Sequence, residues 1–329
     1  MVNEVAFAGH PDDLDCLENY GSNTTDFGVC NDLKICVLRE STHQDILAEE
    51  GLDPASIVAP NDIDDFYNSF LNDYCNILIG EKFDLAEHHL RARGYTGSYK
   101  VGDKVLAKEY ISLVTRDSDA EFSDLCNWIL QSLFSAEEGF QMEETDAFGG
   151  LSRNMFQDAI AVVGDYEHLY DLHLEDIVPR SPTNYINNGN FPQMFAIPMG
   201  NISSSVPPLS TISPTIEEII SRGVLYCGIT DTPFFASLNK ANDWVGLDID
   251  FCNGVAAGLF DGEFKDHVKF IQLNPDARFD ALGSRKVDVL ARATTITFER
   301  DVEWKRAGVG FTFSFPNFFD SIKFAGMPE

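Results

Sequence analysis

Positive charge is scarce in this 329-residue chain: 23 lysines and arginines stand against 53 aspartates and glutamates, a net charge of −30. Nucleic acid and anionic membrane surfaces would both be repelled, so neither is an expected partner. Long apolar runs are missing as well. None approaches the roughly 20 residues a membrane-crossing helix needs. The opening Met1-Val2-Asn3-Glu4-Val5 has neither the basic nor the apolar stretch of a secretory signal. The expectation is that a leader has been removed, or that the chain is excised from something longer. Cys-x-x-Cys does not occur, which argues against a thiolate zinc site or thioredoxin-like chemistry. Neither Gly-x-Ser-x-Gly nor His-Glu-x-x-His occurs, and Glu40-Ser41-Thr42-His43 lacks the strand–elbow–helix setting of a nucleophile. His88 and His89 are a poor metal pair, because adjacent helical positions diverge by about 100°. A protein that is not an enzyme, without metal or cofactor, is expected.

What is present is globular. Hydrophobic residues make up 44 % and aromatics 12 %, enough at this length for one or two substantial cores. Seven cysteines are placed as if to pair. Cys227 falls in a predicted strand and Cys252 in the helix expected to pack on it. Cys36 and Cys75 stand in a similar relation, Cys16 and Cys30 flank a turn-rich stretch, and Cys126 is left over. Sequons at Asn23 and Asn201 fall in loop-like sequence. Pairable cysteines and sequons together favour a secreted, glycosylated setting.

Apolar spacing orders the chain. Residues 1–30 are rich in Gly, Asn and Asp and read as irregular. Lys34–Leu38 and Cys75–Gly80 are buried-strand patterns, with helical spacing over Asp64–Asp73 between them. Val101–Val114 looks extended. Asp119–Glu138 and Arg153–Leu172 read as two amphipathic helices. Residues 179–215 are rich in Pro, Ser and Asn, a linker composition. Alternating strands and helices imply an α/β fold with a mostly parallel sheet.

The most informative stretch is Val287–Asp301. A β-branched run breaks into threonines and ends on Glu299-Arg300-Asp301. Hydroxyls at a strand's carboxyl end, with a guanidinium just beyond, suit capture of a small anion. The other reading is a strand followed by a capped helix whose arginine pairs with Glu299 or Asp301. Upstream stand Ile219–Phe235, Trp244–Cys252 and Arg278–Leu282. In this order and spacing they resemble the first lobe of a type II periplasmic solute-binding protein, nearest the general amino-acid binding subfamily of ABC importers.

The resemblance implies a ligand held between two α/β lobes. Arg300 would bind its carboxylate, Thr295 would supply a hydroxyl and Ala293 a backbone contact, with Asp231 and an aromatic from Phe234 or Phe235 lining the cleft. The N-terminal half matches the second lobe: Ile35–Val37, the Glu40-Ser41-Thr42 loop, Cys75–Glu81 and the helices up to Tyr166. There Ser41 and Thr42 fall on the loop that binds the carboxylate, and Glu81 where an aspartate receives the ligand's ammonium. Two departures stand out: Arg39-Glu40-Ser41 replaces the usual Ser-Gly-Thr, and Glu81 is a methylene longer, with Lys82 beside it as a possible neutraliser.

The lobes therefore come in inverted order. Ala6-Phe7-Ala8-Gly9-His10-Pro11-Asp12 is echoed by Lys323-Phe324-Ala325-Gly326-Met327-Pro328-Glu329, as if one period had been cut from a tandem array. A circular permutant is the alternative. The expected division is a hinge-proximal segment at 1–30, a second-lobe-like domain at 31–115 and a helical segment at 116–178. A linker at 179–215, a first-lobe-like domain at 216–320 and the start of the next hinge at 321–329 follow. Two functions fit: a secreted module holding an amino-acid-like or anionic ligand, or an extracellular structural protein assembling head-to-tail with further copies of itself.

Overall fold

Alternating buried strands and amphipathic helices build two α/β units in the computed structural model, which describes residues 33–49, 54–102, 106–139, 144, 148, 150–180, 213–302 and 310–326. Cys16, Cys30, the sequons at Asn23 and Asn201, the first copy of the short repeat and residues 181–212 lie outside the described residues. One unit comprises Met1–Glu109, Asn274–Asp276 and Phe319–Glu329; the other comprises Tyr110–Leu273 and Ala277–Phe318.

The first unit opens with β1 (Ile35–Cys36), α1 (Thr42–Glu49), β2 (Ile57–Val58), α2 (Ile63–Leu71), β3 (Ile77–Glu81), α3 (Glu87–Ala92) and β4 (Lys100–Val101). β1 lies between β2 and β3, parallel to both, with Ile35 opposite Ile57 and Ile77. All five residues of β3 are buried, which is why Ile77–Gly80 is an apolar run and not an alternation before the strand closes on Glu81. Asp62 caps α2 by accepting from the Asp65 N–H at 2.8 Å. The helix buries Phe66, Tyr67 and Phe70 against the sheet. A disulfide, Cys36–Cys75, ties β1 to the approach to β3.

β5 (Ala107–Arg116) carries the chain into the second unit. There follow α4 (Ala120–Glu137), α5 (Met155–Val163), α6 (Tyr166–His173), α7 (Pro214–Arg222), β6 (Leu225–Ile229), β7 (Ser237–Leu238) and β8 (Trp244–Val245). Next come α8 (Leu247–Leu259), β9 (Val268–Gln272), α9 (Arg278–Gly283), β10 (Val289–Thr295), α10 (Phe298–Val302) and β11 (Phe311–Phe313). β12 (Phe318–Gly326) then returns to the first unit, antiparallel to β3 with Phe324 opposite Ile79.

In the second unit's sheet β6 is parallel to both β9 and β10, while β5 runs antiparallel to β10 and to β11. α8 is buried along almost its whole length and packs on α5 and α4. Its small residues permit that approach: a Cβ on Gly258 would stand 2.7 Å from the Ile129 side chain. Cys227–Cys252 joins β6 to α8.

One expectation needs correcting. Arg153–Leu172 is not one helix: Gly164, at φ +85°, ends α5, and Asp165 starts α6 by accepting from the His168 N–H at 2.8 Å. The stretch from 321 continues as strand β12 up to Gly326. The helices of the 116–178 segment belong to the same unit as 216–273, packing on α8.

Candidate functional site

In the second unit the candidate residues gather at the carboxyl ends of β6 and β10 and at the start of α8. The register of β10 on β5 shifts between Leu290 and Thr294. Inside that bulge Ala293 takes a left-handed turn, φ +48°, which a residue with a Cβ adopts only at a cost of roughly 1 kcal/mol. The Ala293 N–H is thereby turned to the side chain of Asp248 in the first turn of α8, donating to Oδ2 at 3.1 Å.

The loop after β6 is fastened to the same place. Thr232 and Ala236 bridge across it, and Phe234 is held at φ +72°. The Phe234 and Phe235 carbonyls accept from the Leu247 and Asp248 N–H groups, both at 2.9 Å. Gly246 allows this contact, since a Cβ there would lie 2.3 Å from the Phe235 carbonyl oxygen. Of the aromatic pair, Phe235 is core, its ring edge-on to Phe318 at 5.3 Å; Phe234 is half-buried. Asp231 is half-buried in the same loop.

Arg300 sits in α10, a short helix begun by Thr297, whose hydroxyl accepts from the Arg300 N–H at 3.3 Å. Its guanidinium is buried, donates to the Thr295 carbonyl at 2.9 Å and lies 5.5 Å from the centre of the Phe279 ring. Thr295 is buried too. The threonine-to-arginine run thus forms a strand end and a capped helix, with the arginine fixed by the backbone five residues earlier.

Asp248 is the group that sequence reading passed over. Only 1 % exposed, it has one oxygen on the Ala293 amide, and the other, Oδ1, has no hydrogen-bond partner among the described residues. Burial raises its carboxyl to about 7, against the pull of the Ala293 N–H and the Arg292 charge. An acid inside the apolar Gly246-Leu247-Asp248-Ile249 run was the available signal.

The first unit gathers its own set around α1. Glu40 occupies the left-handed region, φ +56°, and its N–H donates to the Gln44 side chain at 3.0 Å. A glycine would hold that turn without strain. The Ser41 hydroxyl donates to the Leu38 carbonyl at 2.6 Å, and the Thr42 hydroxyl donates to the buried Glu109 carboxylate at 2.8 Å. Glu81 faces His43, 3.2 Å away and itself buried. Burial pushes the Glu81 carboxyl up, but the His43 charge together with hydrogen bonds from His43, Asp84 and the backbone outweighs it and holds the group at about 2. The group paired with Glu81 is therefore His43 of α1, while Lys82 is exposed.

Comparison with known proteins bears on the second unit. Residues 225–309 match the family of bacterial extracellular solute-binding proteins, family 3. Over 111 residues the chain is 38 % identical to YhdW of Escherichia coli K12, a candidate amino-acid ABC transporter-binding protein. It is 35 % identical to the general L-amino acid-binding periplasmic protein AapJ of Rhizobium johnstonii. Each match covers 33 % of this chain and 30 % of the relative, so the chain spans about a third of the length of the curated proteins it matches. Among solved structures, domain 1 of ArgBP from T. maritima, in arginine-bound form, is 27 % identical, covering 34 % of this chain and 84 % of that one, at a TM-score of 0.24.

Proposed function

We propose that the second unit is a solute-recognition lobe of the type II binding-protein class, taking a small amino-acid-like or anionic molecule. One observation carries this reading. Asp231, Phe234, Phe235, Ala293, Thr295 and Arg300 all fall inside the matched segment 225–309, on two strand ends and the loop and helix that follow them. In this reading Arg300 meets the ligand's carboxylate, Thr295 and the Ala293 backbone take its remaining lone pairs, and Phe234 supplies an apolar wall. Within the first unit, Ser41 and Thr42 would meet a carboxylate and Glu81 an ammonium. The lobes stand in inverted order, as one period of a tandem array, and the setting is extracellular or periplasmic. A thermal-shift screen of the full chain with the twenty amino acids tests the proposal. Stabilisation by one chemical class supports it, because a ligand that binds only the folded state must raise the melting temperature. No shift from a folded sample with any of them refutes it.

A second reading draws on the first unit. There the recognition groups already have partners within their own unit: Glu81 has His43, Thr42 has Glu109 and Ser41 has the Leu38 carbonyl. Such internal satisfaction suits a binding-protein fold kept as an extracellular building block, assembling head-to-tail. Light scattering over a dilution series separates the two, since a monomer at every concentration removes the assembling form.

A further inference from the structure

We propose that Asp248 is the positioning residue of the second unit's recognition surface, clipping the loop after β6 to the bulge of β10 so that the Ala293 peptide keeps its turn. The inference rests on the solute-binding reading of that surface. Its geometry comes from two contacts made by one residue. The Asp248 N–H donates to the Phe235 carbonyl at 2.9 Å, and its side chain accepts from the Ala293 N–H at 3.1 Å. The loop carrying Asp231 and Phe234 and the strand carrying Ala293 and Thr295 are thus referred to the same first turn of α8. Ala293 lies in a backbone region that alanine occupies reluctantly, so a specific partner must hold it there. The partner is a buried carboxyl whose second oxygen has no hydrogen bond among the described residues, an arrangement that packing alone does not require.

The clip is also sensitive to protons. With its carboxyl raised to about 7, Asp248 is shared between two forms near neutrality. The ionised form accepts more strongly from the Ala293 N–H; in the neutral form the proton sits on one of the two oxygens and the bond weakens. Burial raises the carboxyl, and the Ala293 N–H and the Arg292 charge on β10 act against it. His173 of α6 is engaged with Asp250 at 2.6 Å, Lys269 of β9 lies over the Tyr226 ring, and Asp158 of α5 lies beside Gly262. α4 meets α8 with Ile129, and β8 carries only Trp244 and Val245.

The test follows the Ala293 amide by nitrogen–proton NMR in the unliganded full chain from pH 5 to 9, in the wild type and in Asp248→Asn. Asparagine keeps an acceptor oxygen and removes the titration. The expected result is a wild-type amide that moves with a midpoint near 7 and an amide that stays flat in the variant. A flat wild-type amide, or the same midpoint in both proteins, overturns the proposal, and the wild-type arm decides even if the variant fails to fold. The second arm measures affinity for whichever amino acid the thermal-shift screen identifies. Wild-type affinity is expected to fall several-fold from pH 8 to pH 6 while Asp248→Asn stays constant; parallel profiles overturn the positioning role. If no amino acid binds, the solute-binding reading fails, and the amide titration still decides whether Asp248 works as the clip.

Discussion

Asp248 and Glu81 are both buried carboxyls, and their surroundings push them in opposite directions. The Asp248 carboxyl rises from 3.8 to about 7 because burial outweighs one amide hydrogen bond and the Arg292 charge. Folding then favours its protonated form. Its contribution is full below about pH 4 and is lost as pH rises through about 7. At about 1.4 kcal/mol per unit, a three-unit rise corresponds to at most ~4 kcal/mol. Urea unfolding at pH 5 and pH 8.5 checks this: relative to wild type, Asp248→Asn should gain stability at the higher pH. Glu81 behaves the other way. Held at about 2 by His43, it contributes stability above about pH 4.5 that disappears as pH falls through about 2. Replacing His43 by leucine leaves Glu81 buried without its cation, and breaking such a pair costs about 3–5 kcal/mol. The same urea experiment at pH 7 should show that loss, and a change below about 1 kcal/mol would contradict the pairing.

At the scale of elements, the Cys227–Cys252 bridge fastens β6 to α8 across a sequence separation of 25 residues. These two elements lead into the Asp231–Phe235 loop and carry Asp248. Closing a loop of that length is worth roughly 3 kcal/mol through the unfolded chain. The double variant Cys227→Ala/Cys252→Ala should therefore unfold at a distinctly lower urea midpoint than wild type; an unchanged midpoint would mean the bridge carries no stability. This staple was legible because Cys227 and Cys252 stand in a strand and a helix that local pattern identifies. Strands β3 and β10 were legible for a related reason, since both-face burial writes itself as the short apolar runs Ile77–Gly80 and Val287–Ala291, although Asp288 interrupts the second. The division of Arg153–Leu172 into two helices was missed although its signal was present: Gly164 followed by Asp165 is a stop and a start side by side. The partners His43 and Asp248 were not legible. Each is set by which distant segments meet, His43 with Glu81 and Asp248 with Ala293, and no local period encodes such a meeting. Reading Lys82 as the neutraliser of Glu81 overlooked that β3 ends at Glu81, so that Lys82 begins an exposed turn while His43 faces the carboxylate.

Over the whole molecule, one unit carries the segment similar to solute-binding proteins and the other is a separately organised α/β body. Among the described residues no helix is long and apolar enough to cross a membrane. The net charge of −30 makes a free cationic macromolecule a natural nonspecific partner, so recognition measurements belong at physiological salt, where unspecific attraction is screened. Against that background the central proposal is a single one: Arg300, after β10, receives a ligand's carboxylate. The most direct measurement is isothermal titration calorimetry of the full chain with the amino acid selected by thermal shift, repeated with Arg300→Ala and Arg300→Lys. The account predicts a saturable heat in the wild type, loss of affinity by 100-fold or more in the alanine variant, as about 3 kcal/mol from a charge-assisted bidentate pair implies, and partial recovery with lysine. Equal affinities in all three folded proteins would contradict it.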